Sequence, residues 1–485
     1  MKRCAPPPPL LGLCLALAAA FPAAAQTNEE LLKELRALRD RVTELEKKLQ
    51  QAPAAAPAAA AAAPAAGQWG MTPEQARELN RIAVKTEGLQ DSFADQGLKG
   101  LKISGQMDPT YIYNRAQDEA SFVFLNYGDA RYTYDNSYFG MAVVDFEKET
   151  DSGVRWKLTL APERGAGAVF NNSIVHEASV SIPLTDLQTR LWVGQIPDWT
   201  GYEYTLPADN KLITHNLLFD FMAPTAYTGA VLDLTSGKWW IRGGLANMNT
   251  ARETSGNKQP VLIYRVDYSK GEYSGFGFTG LHGKAVNYAA NDGSYPVDSG
   301  EVDANGDPIF EDTPFDGAGE NTTINLLEFD AYFIRGDLSL FGQASWGEQK
   351  GAAIFNSDGV LRDASWWGLS GLAAYKFTPR LEGVVRADYV ENSKNGGGLL
   401  GFSFDDYMNG IGRGLLADGS FAKGESEGAN RWALSLGMNY LFDESTIFKL
   451  EYRYDGADQP VFEYVEDGSF KKSNSVFGAS VVVKF

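Results

Sequence analysis

Charged side chains recur at every second position in segments that are otherwise apolar. Lys449, Glu451 and Arg453 alternate with Phe448, Leu450, Tyr452 and Tyr454, and Arg386 and Asp388 sit among Val385, Ala387 and Tyr389. A β-strand has a side-chain period of two, so such a segment has one charged and one apolar face. The charged faces together carry eleven cations: Lys102, Arg155, Lys157, Arg190, Arg242, Arg265, Lys376, Arg386, Lys449, Arg453 and Lys484. Ten anions stand against them: Asp108, Asp145, Glu147, Asp233, Asp267, Glu328, Asp330, Glu382, Asp388 and Glu451. Charge at this density is costly against lipid and indicates a hydrated interior, where rows of charge set the field along a solute path. From this set Arg155, Lys157, Arg190, Arg242, Arg265, Arg386, Asp388, Lys449, Glu451 and Arg453 form the candidate pore wall. The competing reading is a sealed barrel filled by mutual salt bridges. Sixteen strands enclose more space than side chains fill, which favours the channel.

Catalysis finds little support in the same residues. A hydrolase needs a nucleophile with a positioned base, and the chain has three histidines, His176, His215 and His282. His176 shares a parity with Ile174, Ala178 and Val180 and reads as an interfacial ring. No G-x-S-x-G motif, metal-ligand spacing or phosphate loop occurs, so no catalytic residue, metal or cofactor is expected.

The elements that must position these charges are strands. A content of 51 Gly and 59 aromatic residues, with a mean hydropathy of −0.26, fits a large β-barrel. Residues 1–25, with Lys2 and Arg3, an apolar run from Leu10 and Ala23-Ala24-Ala25, read as a secretory signal peptide. Its loss removes both cysteines and leaves 41 basic against 62 acidic residues, a balance that repels nucleic acid. In residues 26–51, Leu31, Leu35, Leu38, Val42, Leu45 and Leu49 form a heptad seam, read as a short coiled coil. A single amphipathic helix on the periplasmic mouth is the other reading. Residues 52–71 are an Ala/Pro-rich linker and residues 72–99 a short helical segment, with Thr72 as cap and Pro73 in the first turn. The barrel occupies residues 100–485.

Sixteen strands are predicted, near 101–113, 137–147, 154–161, 174–182, 188–195, 225–234, 239–247, 261–268, 273–284, 323–334, 338–346, 365–377, 381–391, 431–442, 446–454 and 475–485. Short and long connections alternate between them. An all-β, 16-stranded antiparallel transmembrane barrel with turns on one rim and loops on the other follows, with closure removing the edges that lipid cannot satisfy. Aromatic residues gather at strand ends, where interfacial girdles sit.

Two long loops stand out. Residues 285–322 hold nine acids and no Lys or Arg. Asp303, Asn305 and Asp307 faintly resemble a calcium loop without its remaining ligands, so a hydrated surface loop is the reading, with divalent cations bridging it to lipopolysaccharide as a second idea. Residues 196–224 carry Asp198, Glu203, Asp209, Lys211, His215 and Asp220 and are apolar from Leu217 to Met222. This third long loop is expected to fold into the barrel as its constriction, with Glu203, Asp209 and Lys211 facing Arg155 and Arg190. An extracellular subunit contact is the alternative.

The signal peptide, coiled coil, Ala/Pro spacer and barrel resemble Gram-negative trimeric porins with an N-terminal periplasmic extension. Arg190-Leu-Trp-Val-Gly-Gln195 resembles the strand before the third loop in the phosphate-selective porin O and P group, and the whole chain is similar to an uncharacterised proteobacterial family of porin-like proteins. The resemblance implies a homotrimer in the outer membrane, with its N-terminal segment in the periplasm and lipid and lipopolysaccharide as partners. Phosphate-selective relatives line the path with a basic ladder; the balanced wall here departs from it. The expected function is passive diffusion of small hydrophilic solutes or ions. The alternative is a structural barrel tethered toward peptidoglycan by the coiled coil.

Overall fold

In the computed structural model, the described residues are 72–95, 97–125, 139–162, 173–249, 258–287, 294–302, 308–314, 317, 319–353, 361–392, 414, 416–418, 420, 422–423 and 427–485. The signal peptide, coiled coil and linker lie outside them. Helix α1 (Pro73–Asp95) begins at a reciprocal cap. The Gln75 amide donates to Thr72 Oγ1 at 3.2 Å and the Thr72 amide to Gln75 Oε1 at 3.0 Å, satisfying two otherwise orphaned donors. No helix among the described residues is long and apolar enough to cross a membrane.

The rest is a closed antiparallel barrel. Its first half runs through β1 (Leu101–Met107), β2 (Thr110–Asn114), β3 (Glu119–Val123), β4 (Ala142–Glu149), β5 (Arg155–Leu160), β6 (Val175–Pro183), β7 (Thr189–Pro197), β8 (Ala226–Ser236), β9 (Trp239–Asn249), β10 (Val261–Ser269) and β11 (Ser274–Val286). After the separate hairpin β12 (Ser294–Val302) and β13 (Pro308–Pro314) come β14 (Asn321–Arg335), β15 (Leu338–Ala353), β16 (Arg362–Lys376), β17 (Leu381–Glu391), β18 (Arg431–Leu441) and β19 (Thr446–Ala457). A second small hairpin, β20 (Phe462–Tyr464) with β21 (Ser469–Lys471), precedes β22 (Ser473–Lys484). β22 pairs with β19 on one side and with β1 and β2 on the other, which closes the sheet. At the seam the Gly105 and Phe485 amides donate to each other's carbonyls, both at 3.0 Å.

Eighteen sheet segments make sixteen staves because the first two are each broken. β1 and β2 form one stave, interrupted at Asp108 and Pro109, and β3 and β4 form the next, pairing with β2 and β1 respectively. The chain leaves this second stave after Val123 and returns at Ala142, so the insertion sits inside a stave rather than between two. The alternation of residues 119–123 was too short to read as a strand. Asp108, expected on the lumen wall, instead clasps the break and is buried. Its Oδ2 accepts from the Gly140 amide at 2.8 Å and its Oδ1 from Met141 at 2.6 Å. Gly140 has φ 71°, and a Cβ there would meet the Val123 carbonyl oxygen at 2.5 Å, so only glycine fits the return. Replacing Asp108 with Ala should orphan both amides, costing about 1–3 kcal/mol, and should raise the hydrogen-exchange rate of amides 140 and 141 above that of residues 143–147.

Side-chain facing follows the alternation. In β19, Lys449, Glu451, Arg453 and Asp455 are buried inward, while Phe448, Leu450 and Tyr452 point out. In β22, Val476, Gly478, Ser480 and Val482 face inward and Phe477 outward. Outward rings gather at both ends of the staves. Trp239 lies 4.8 Å from Tyr268, and Tyr268 lies 5.4 Å from Phe276, beside the short turns. Trp367–Tyr389 and Trp432–Tyr454, each at 5.4 Å, stand toward the long-loop end. His176 breaks the pattern: Thr159 pairs with Glu177 and Leu160 with Val175, leaving it as the extra residue of a bulge. It is therefore 2% exposed and not an interfacial ring.

Candidate functional site

The connection from β7 to β8 turns inward and crosses the lumen. A single turn of 3₁₀ helix, Pro207–Asp209, and helix α2 (Leu217–Met222) give it shape. Asn216 caps α2, its Oδ1 accepting from the Phe219 amide at 2.8 Å, and all six helical residues are buried. Leu217, Leu218, Phe221 and Met222 share one apolar cluster with Ala364, Trp366, Val390 and Ala433 on the inner face of β16, β17 and β18. Leu212 packs with Leu372, Ala374 and Val384 in another. The apolar run therefore finds its partners inside the barrel.

Wall charges hold the loop's backbone. Glu451 accepts from the Ile213 amide at 2.7 Å, the Thr214 amide at 2.8 Å and the Thr214 hydroxyl at 2.7 Å. Lys449 donates to the carbonyls of Pro207 and Asn210, both at 2.6 Å. Arg386 donates to Glu203 at 2.8 Å, to Thr214 O at 2.7 Å and to His215 O at 2.8 Å; Arg453 also donates to His215 O, at 2.8 Å. Asp388 buttresses Arg386 at 3.1 Å and accepts from Ser370 at 2.6 Å. Arg386 and Arg453 are 0% exposed and Glu451 2%. These five wall residues of β17 and β19 thus face inward as the alternation requires, but lie beneath the loop. A desolvated cation is stable there because it meets carboxylates and carbonyls together.

The six loop residues divide in two. Asp209 lies 3.1 Å from Lys484 and Lys211 2.7 Å from Glu382, each keeping about a third or more of its side chain exposed. Glu203 pairs with Arg386 and accepts from the Asn216 amide at 2.6 Å. Asp198 closes a local turn, accepting from the Thr200 amide at 2.9 Å and hydroxyl at 2.8 Å. His215 and Asp220 are fully buried. Burial pushes the His215 imidazole down to about 3, keeping it neutral, and its ring stacks on Phe219 at 4.0 Å. Burial likewise pushes the Asp220 carboxyl well up, although Arg453 lies 3.9 Å away. The expected facing of Glu203, Asp209 and Lys211 onto Arg155 and Arg190 is not found: their partners are on β17 and β22, because α2 docks against β16 and β17 and draws the loop to that wall.

Open space remains on the opposite side. A cavity of about 630 Å³ lies between the loop, with Asp198, Glu203, Asp209 and Lys211, and a wall carrying Lys157, Arg242, Arg265 and Asp267. A second, of about 470 Å³, extends toward the short-turn rim past Arg155, Arg190 and Asp233. Lys157, Glu177, Trp192 and Trp240 line both, so the two cavities abut. Ion pairs run along this wall: Lys157–Glu177 at 3.3 Å, Arg242–Asp267 at 3.3 Å and Arg265–Asp330 at 2.8 Å. Arg190 donates to the Gly153 carbonyl at 2.7 Å and to the Ser181 hydroxyl at 2.6 Å, and Arg155 pairs with Glu149 at 3.1 Å.

Sequence reasoning missed Glu177, Arg431 and Asp455. Glu177 shares the parity of Ser179 and Ser181, so its inward facing was readable. Arg431 and Asp455, 2.7 Å apart, lie toward the long-loop ends of β18 and β19, where strand length decides whether a residue belongs to the wall. Among the described residues no cluster of His, Cys, Asp and Glu fit to hold a metal occurs.

A closed sixteen-stave antiparallel barrel, apolar outside and charged inside, with one loop folded into its lumen, has the architecture of porin-type barrels. The chain belongs to the family described as "Protein of unknown function (DUF3138)", whose model matches residues 10–485. No curated protein matches it in sequence. Among solved structures it is similar to the outer membrane channel DcaP of Acinetobacter baumannii, at 12% identity and TM-score 0.48, covering 79% of this chain and 97% of that one. OmpT, an outer membrane protein of Vibrio cholerae, matches at 11% identity and TM-score 0.47 with 79% and 97% covered. An anion-selective porin from Comamonas acidovorans matches at 9% identity and TM-score 0.45 with 79% and 99% covered.

Proposed function

We propose that this protein is an outer-membrane porin, a passive diffusion channel for small hydrophilic solutes or ions, with the β7–β8 loop as its constriction. The observation that carries the reading is the one-sided seating of that loop. It is fastened chiefly to β16–β19, with Arg265 of β10 also donating to the Trp199 carbonyl at 2.7 Å, and it leaves a cavity of about 630 Å³ bordered mainly by β5–β10, where charges of both signs face it. A barrel evolved merely as an anchor has no need to keep a charged, hollow side. Trimeric assembly and a periplasmic N-terminal segment belong to the same proposal; the heptads behind them lie outside the described residues, as does any contact with peptidoglycan.

Planar-bilayer recording tests it. Purified protein should insert in conductance steps, grouped in threes if trimeric, whereas a plugged tethering barrel should give none. Asp209 and Lys211 are half-exposed at the cavity edge, so D209K should shift reversal potentials toward anion selectivity and K211E toward cation selectivity, both more strongly at low salt where screening is weak. Steps with unaltered selectivity in both variants would remove the loop from the path.

A further inference from the structure

The junction of the two cavities is built around one tryptophan. Trp240 lies on the inward parity of β9 and is 41% exposed, and Trp192 is the second indole that lines the junction. Two contacts fix its ring. Its Nε1 donates to Asp233 at 2.7 Å, and the Arg242 guanidinium lies over it at 4.0 Å from the centroid. Arg242 is itself oriented from the other side, 4.7 Å over the Trp199 ring of the loop and 3.3 Å from Asp267. An indole held at edge and face keeps little rotamer freedom to lose when a solute stacks on it.

The surrounding charges decide what kind of solute that is. Lys157 is already held between Glu177 at 3.3 Å and Glu147 at 3.6 Å, and Arg242 is paired and stacked. An anion entering the junction would have to displace carboxylates, and a cation would have to displace ammonium or guanidinium groups. A neutral polyol has neither cost: it offers hydroxyls that both donate and accept, and a pyranose ring adds a flat face of C–H bonds to set against the indole.

We infer that the junction framed by Trp240, Trp192, Lys157 and Glu177 is a weak binding subsite for neutral pyranose sugars. The inference rests on the diffusion-channel reading and assigns its solute class. Such a site slows a sugar at the junction without trapping it, as conduction requires sites that solutes can leave.

The test is blockade of single-channel current in planar bilayers, with maltose as the probe, sorbitol as the acyclic control and benzoate as the flat anionic control. Maltose should reduce the current saturably, and sorbitol only in proportion to solution viscosity. W240F should keep the maltose binding constant within threefold, because a ring remains; W240L, apolar but without a ring, should lower it at least tenfold. Steps without saturable maltose block, block by benzoate instead, or equal block in W240L would each overturn the subsite while leaving the channel standing. Absence of any conductance would overturn both.

Discussion

Replacing Arg386 with Ala should release the loop from the wall and turn a quiet channel into a larger, noisier one. Arg386 is wholly buried and is the common partner of Glu203, Asp388, Thr214 O and His215 O. Its removal leaves two carboxylates in a dry site with no compensating charge at their centre, a change that costs roughly 3–5 kcal/mol when one member of a buried pair is lost. The inward seating of residues 203–215 depends on a few such contacts, whereas the barrel depends on the whole ladder of stave pairings. The loss therefore falls on the loop. Single-channel conductance and open-channel noise should both rise, with the heat-modifiable gel migration of a folded barrel retained. R386K should lie between, since an ammonium keeps the charge but not the planar fork. Wild-type conductance and noise in R386A would show that the loop does not restrict the path.

The second large effect is expected on the outer face. Leu436 is 50% exposed on the outward parity at mid-stave, between Val385 on β17 and Tyr452 on β19. On a water-exposed sheet, Leu436→Arg would change stability by about 0.5 kcal/mol or less. In a bilayer the same substitution near the midplane costs roughly 2–4 kcal/mol. Guanidinium titration of folding into phosphatidylcholine vesicles separates the two outcomes. A midpoint unchanged from wild type would mean that this face does not meet lipid, and the membrane location proposed here would fall.

What the sequence determined by itself was whatever depends on a period of two. The inward row Lys449, Glu451, Arg453 and the outward row Phe448, Leu450, Tyr452 were readable because successive side chains on a strand must face opposite ways. Closure followed from the same pattern, since sixteen apolar outer faces without partner edges leave a cylinder as the solution. The apolar run Leu217–Met222 signalled that its loop could not stay in water.

Which wall would receive that loop was settled only in three dimensions. Leu217, Leu218, Phe221 and Met222 needed a matching apolar patch, and Trp366, Val390 and Ala433 supply it on three adjacent staves that no local pattern singles out. That docking buried Arg386, Glu451 and Arg453 beneath the loop and left Lys157, Arg242 and Arg265 bordering the cavity, where Arg265 also donates to the Trp199 carbonyl of the loop, so one uniform set of charges came to serve different ends. The clasp at Asp108 and the bulge at His176 were likewise decided by tertiary structure, because each depends on the register of a neighbouring stave rather than on the alternation within its own.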